Sequence, residues 1–211
     1  VSPEEFVRAN TALAAPPLVP EIALHLATEV TPLWEATEAE LQRIGLPPPY
    51  WAFAWPGGVA LARYVLDHPE LVAGRRVLDF GAGSGLVAIA AAKAGARAVA
   101  AEIDAFAAAA IRLNAAANGV EMEIETSDVI GAECAWDVIL AGDMCYERPL
   151  AERLVRWLRR VPALVLLGDP GRSYAPRDGL EPLARYVVPT SRDLEDRDSR
   201  ETGVWRLLRA A

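Results

Sequence analysis

The segment Val77-Leu78-Asp79-Phe80-Gly81-Ala82-Gly83-Ser84-Gly85 constrains the fold of this chain more than any other. Arg76–Phe80 reads as a short buried strand, and Gly85–Ala94 reads as a helix. The alternate glycines between them let the backbone turn sharply and pass close to a ligand without a side chain in the way. The same alternation runs on from there. Ala98–Glu102 predicts a strand, and a helix from about Ala105 to Asn118 follows it, with Gly119 as its left-handed cap. Met122–Thr126, Val138–Ala141 and Ala163–Gly168 predict three more strands, with a helix over Leu150–Arg160 before the last. Strands separated by helices imply right-handed crossovers and a parallel sheet. Arg185–Ser191 and Glu201–Leu208 leave no room for a helix between them, so they predict an antiparallel hairpin.

Upstream of this alternation the pattern differs. Ser2, Pro3 and Glu5 form a capping box that opens a first helix. Ala14–Pro20 reads as a proline-rich turn and Glu21–Thr28 as a strand. Thr37 with Glu40 opens a short helix that Gly45 closes, and Pro47-Pro48-Pro49 makes a stiff link onward. Val59–His68 reads as a helix ended by Pro69. We therefore divide the chain into an N-terminal extension, residues 1–57, packed on a main domain over 58–211. The expected class is α/β: a seven-stranded Rossmann-like sheet, mostly parallel, with an antiparallel C-terminal hairpin. That is the seven-stranded methyltransferase pattern and not the six-parallel dinucleotide one.

Composition excludes several functions. A formal net charge of −8 repels nucleic acid, and no basic stripe interleaved with aromatics appears. Two cysteines, two histidines and no CxxC pair argue against a dedicated metal site or a disulfide framework. No stretch is long and apolar enough to cross a bilayer, and no secretory leader is evident. Together these point to a cytoplasmic, metal-free protein.

The chemistry concentrates at the predicted strand ends. The G-x-G-x-G spacing, carried by Gly81, Gly83 and Gly85 around Ala82, lacks the two residues that precede the third glycine of a nicotinamide fingerprint. No Gly-Lys-Ser/Thr follows it, which excludes a nucleoside triphosphate loop. Glu102 ends the next strand, where its carboxylate is placed to accept from both hydroxyls of a ribose. Ser127 and Asp128 end the third strand, where an adenine would lie; the plain alternative for Asp128 is a loop cap. Asp104 reads as the cap of the following helix and not as a second ribose ligand. Gly142 follows the fourth strand and is expected to border the cofactor, and Asp143, Tyr146 and Glu147 beyond it are expected to converge on the reacting group. Asp169-Pro170-Gly171-Arg172 ends the fifth, where Arg172 fits either an exposed proline-glycine turn or a substrate contact. Trp55-Pro56-Gly57-Gly58 starts a helix, so Trp55 can cover a cofactor while the helix start favours a carboxylate. Trp51 and Phe53 fit core as well. Arg192–Glu201 reads as a solvated hairpin tip, and His25 is given no function.

Trp51–Gly58, the Asp79–Gly85 turn, Gly142–Tyr146 and Gly168–Arg172 together resemble the electron-transfer flavoprotein β-subunit lysine methyltransferases, from Pro20 onward in similar order and spacing. The chain departs in Cys145, where an aromatic is common, in Glu147 for Asp, and in Glu102 as the ribose acid. The resemblance implies S-adenosylmethionine as cofactor and lysine side chains of a protein, with the electron-transfer flavoprotein β subunit foremost, as acceptor. Asp143 is then expected to capture and orient the amine and Tyr146 to shape its channel. A ribosomal or other protein, a small amine, and a catalytically silent binding module are the alternatives.

Overall fold

A computed structural model describes residues 2–28, 48–190 and 195–209. The expected helix around Thr37–Gly45 lies outside the described residues. The chain begins with α1 (Pro3–Asn10), β1 (Ala12–Ala14) and β2 (Leu24–Leu26), then α2 (Pro56–Asp67). The alternating region comprises β3 (Arg76–Phe80), α3 (Leu86–Lys93), β4 (Arg97–Ala101), α4 (Ala105–Ala117) and β5 (Glu123–Glu125). It continues through β6 (Val138–Gly142), α5 (Arg148–Leu158), β7 (Leu164–Asp169), β8 (Leu180–Pro189) and β9 (Ser199–Leu207). Seven strands form one sheet in the order β5-β4-β3-β6-β7-β9-β8. β9 runs antiparallel to both β7 and β8, as the missing crossover helix requires.

The central strands are buried on both faces, which is why they read as continuous apolar runs. Val77, Leu140 and Leu166 face the side covered by α2 and α3. Leu78, Ile139 and Val165 face the side covered by α5, with Leu154, Trp157 and Leu158. The alanine-rich α4 is buried on a second face too, where Ala107, Ala109 and Ala110 meet Val7 and Trp51. Asn114 on α4 and Asn118, the residue that caps its end, hold β2 and the residue before it. Asn114 Oδ1 accepts from the His25 N–H at 2.7 Å, and Asn118 exchanges two bonds with the Ala23 backbone.

Three segments differ from the sequence reading. β1 is an exposed Ala-Leu-Ala with no apolar alternation, and its pairing with β2 replaces the expected single strand over residues 21–28. β8 starts five residues before Arg185, through Pro182, because this is the sheet's outer edge and proline's missing N–H breaks no ladder there. α2 starts at Pro56 and not Val59. Proline suits a first helical position, and glycines in the first turn lose little.

Those glycines let α2 lie against the sheet. A Cβ on Gly168 would sit 2.1 Å from the Gly57 carbonyl oxygen, and one on Gly142 would sit 2.7 Å from the Gly58 Cα. The helix start therefore touches the ends of β6 and β7 backbone to backbone. Gly168→Ala is expected to cost more than about 2 kcal/mol in urea unfolding, since neither backbone can yield. Gly58→Ala, whose Cβ meets nothing nearer than Val87 at 3.9 Å, is the control and should change stability by less than about 1 kcal/mol.

Candidate active site

β3 pairs with β4 on one side and β6 on the other, and the chain leaves in opposite directions on either side of it. A crevice must open at the carboxyl ends of these strands. It holds a cavity of about 450 Å³ lined by Gly81, Gly83, Glu102, Ser127, Asp128, Gly142, Asp143, Tyr146 and Trp55. Ala82 and Gly85 stand behind its wall: Ala82 is buried, and Gly85 begins α3 at φ 79°. Glu147 lies outside the cavity, exposed just before α5. The structure thus gathers most of the expected residues and leaves Glu147 apart, because α5 begins immediately after it and turns its side chain to solvent.

Glu102 is held from two directions. Oε2 accepts the Gly83 N–H and Oε1 the Asp104 N–H, each at 3.0 Å. Each oxygen keeps a further lone pair for a donor in the cavity. Burial raises the Glu102 carboxyl above its ordinary range, and these two N–H groups counter it. Asp104 caps α4 by accepting the Phe106 N–H at 2.8 Å. Asp128 lines the cavity and is also a loop cap, accepting from the Ile130 N–H at 3.0 Å while pairing with Arg153.

Asp143 departs most from expectation. Its carboxylate is buried and both oxygens are engaged: Oδ1 accepts from Arg172 Nε and Nη2 at 3.0 and 2.7 Å, and Oδ2 accepts the Gly58 N–H at 3.0 Å. Trp55, the cap residue of α2, makes no side-chain capping bond, and Asp143 caps this helix from 85 residues away. The helix start already holds a carboxylate of the protein. Burial pushes the Asp143 carboxyl up to about 6, against the pull of Arg172, which leaves it ionised at pH 7. Arg172 is no exposed turn residue. Its guanidinium lies 5.7 Å over the Trp55 ring, and Nη2 also donates to Glu195 Oε1 at 2.6 Å. Glu195 is buried, although the run containing it reads as solvated. Arg172 carried a weak sequence signal in its loop; Glu195 carried none. Tyr50, just after the proline link, was given no role either. Its ring stands 5.7 Å from Tyr146 and 6.0 Å from Trp55, so three aromatic rings frame the cavity mouth.

A family model described as ribosomal protein L11 methyltransferase (PrmA) matches residues 61–147. The electron transfer flavoprotein beta subunit lysine methyltransferase of Xenopus laevis is 41% identical over 96% of this chain and 86% of its own. That of Danio rerio is 40% identical over 96% of this chain and 82% of its own. The chain belongs to this lysine methyltransferase family. Its fold is shared with a T. thermophilus 16S rRNA methyltransferase solved with AdoMet and guanosine, at TM-score 0.59 and 19% identity, over 95% of this chain and 50% of that one.

The methyltransferase's cavity fits an adenosyl group. A Cβ at Gly83 would meet nothing closer than the Trp51 Cα at 3.8 Å, so glycine keeps this wall open. Glu102 offers two spare acceptors, and Ile103, Val129 and Ile130 add apolar surface beside Asp128. Beneath the turn, Asp79 Oδ2 accepts the Ala88 N–H at 2.9 Å, capping α3, whose own first residue has no capping side chain. Burial pushes the Asp79 carboxyl up to about 8 from an ordinary value of 3.8. Between these values the fold keeps a proton that the unfolded chain has released, so stability falls as pH rises from about 4 to 8. Asn keeps the acceptor without the titration. Asp79→Asn is expected to reduce the fall in Tm between pH 6 and pH 9 in calorimetry, by about 2–4 °C per kcal/mol recovered. Parallel Tm profiles for the two proteins would show that Asp79 is ionised in the fold.

Proposed function

We propose that this chain binds S-adenosylmethionine against Gly81, Gly83 and Glu102 and methylates lysine side chains of the electron-transfer flavoprotein β subunit. The observation that carries this reading is the aromatic cluster of Tyr50, Trp55 and Tyr146, which lines one cavity with the Glu102 clamp. The cofactor supplies an electrophilic methyl on a sulfonium. The acceptor must bring a free lone pair, whereas lysine's ordinary pKa is about 10.4. A carboxylate beside the amine would hold it protonated. Asp143 exerts little of that pull, because Arg172 neutralises it within hydrogen-bonding distance. The aromatic faces receive the side chain and exclude water, while the buried ion pair keeps the mouth in register. Neither histidine lines the cavity, which leaves the departing proton to water. In this reading Asp143 and Tyr146 act by positioning, and Glu147 has no contact with the acceptor's route.

The net charge of −8 favours a basic acceptor surface and disfavours nucleic acid. Free Cys134 and Cys145 are consistent with a cytoplasmic, reducing compartment. Among the described residues no helix is long and apolar enough to cross a membrane. The match of residues 61–147 to a ribosomal protein L11 methyltransferase model favours a second reading, in which a ribosomal protein is the acceptor.

Incubation with methyl-labelled cofactor and either the flavoprotein β subunit or ribosomal proteins, followed by mass spectrometry of lysine peptides, separates the two readings. Label on the β subunit supports the first; label confined to ribosomal protein overturns it in favour of the second. Glu102→Ala should weaken binding of S-adenosylhomocysteine about tenfold or more in calorimetry, since charged acceptors contribute about 1.5–3 kcal/mol per bond. Asp143→Asn should slow single-turnover transfer at pH 7 at least about tenfold while leaving cofactor affinity within roughly twofold. Rates equal to wild type would remove Asp143 from the reaction.

A further inference from the structure

We infer that Glu195, which lies between β8 and β9, is a positioning residue for the methyl acceptor. This rests on the lysine-methyltransferase reading above. Glu195 is 3% exposed and does not line the cavity. Its Oε1 accepts from Arg172 Nη2 at 2.6 Å, and Oε2 accepts from Arg200 Nε at 3.0 Å and Arg172 Nη1 at 3.4 Å. A chain of alternating charge results: Arg200 on β9, Glu195, Arg172, then Asp143, whose other oxygen ends on the Gly58 N–H. Two cations and two anions balance, so each half-buried guanidinium keeps its partners.

Asp143 alone cannot fix Arg172. It binds the Nε and Nη2 edge through a single oxygen, which leaves the guanidinium free to pivot about that contact. Glu195 grips the far edge, through Nη1 and Nη2, and stops the pivot. The planar group is then held over Trp55, and Trp55 in turn sets Tyr50 and, through it, Tyr146. Lysine in place of Arg172 would lack the second edge. Glu195 thus acts on the acceptor side through Arg172, while Glu102 and the glycine turn on the cofactor side share none of its bonds.

Glu195→Gln preserves shape and removes the charge, and two readouts test it. The first needs no acceptor: solvent exchange of the Arg172 Nε–H, followed by nitrogen-15 NMR, should quicken about tenfold or more as the guanidinium gains freedom. The second is kinetic. kcat/KM for the flavoprotein β subunit should fall about tenfold, with S-adenosylhomocysteine affinity within roughly twofold of wild type. In an Arg172→Gln background the same substitution should change kcat/KM by less than about twofold, because its only route is gone. Unchanged Nε–H exchange in Glu195→Gln, or an equal kinetic loss in both backgrounds, would overturn the inference. If wild type labels no lysine of the β subunit, the reading under Proposed function fails, and the exchange measurement still decides whether Glu195 holds Arg172.

Discussion

The Asp143 carboxylate joins the two halves of the site. One oxygen closes the first turn of α2 and the other receives Arg172. Without it, a helix start pressed against two strand ends would keep a buried N–H with no partner, and a half-buried arginine would lose its counter-charge. The geometry of this helix leaves little choice of cap. Trp55 has no side-chain acceptor to offer, and Gly57 lies too close to the sheet for any side chain. The acceptor must come from the strand that the helix touches. Asp143, one residue beyond β6 and at φ 59°, is where the chain turns back toward it.

The same logic recurs at α3. Gly85 begins the helix in a left-handed conformation, which a β-branched or bulky cap would resist, so the capping carboxylate again comes from a strand, as Asp79. The two acids then differ through their other partners. Arg172 keeps Asp143 ionised at neutral pH, whereas Asp79 has backbone alone and stays largely neutral. Glycines that admit the ligand and close helix–sheet contacts have displaced the ordinary caps, and tertiary carboxylates take their place.

This explains what the sequence made legible. β3 and β6 are apolar on both faces and flanked by turn residues, so their extent follows from burial alone. Gly81, Gly83 and Glu102 are local to one strand–turn–helix unit and its neighbour, and their spacing carries the chemistry. Asp104 as a cap needs only the next helix. The Arg172 partner of Asp143 was not legible because it lies 29 residues on, in a loop whose direction no periodicity encodes. Glu195, 23 residues beyond Arg172, sits in a run of mixed charge that looks like any solvated tip. Ion-pair partners depend on where loops meet, and loop meetings come from the sheet order, not from neighbours in the chain. β1 and the early part of β8 were missed for a different reason: β1 is exposed and the start of β8 is at most half-buried at the sheet's edge, and such strands need no apolar alternation.

A buried ion pair at the mouth changes how an acceptor amine must be recognised. Replacing such pairs by apolar groups is often neutral or stabilising, so stability alone is a weak reason for its presence. A free Asp143 would bind an ammonium tightly and hold it in the unreactive, protonated form, since an anion within about 4 Å favours the charged state. In the proposed mode of binding, with Arg172 already seated there, an incoming lysine would meet a neutral pair and the faces of Tyr50, Trp55 and Tyr146. Those faces attract a cation only weakly, about 0.5–1 kcal/mol each where exposed, which holds the side chain without fixing its proton. In that mode Arg172 would spare the amine a strong acid partner, and the desolvated mouth would shift it toward the neutral form that reacts.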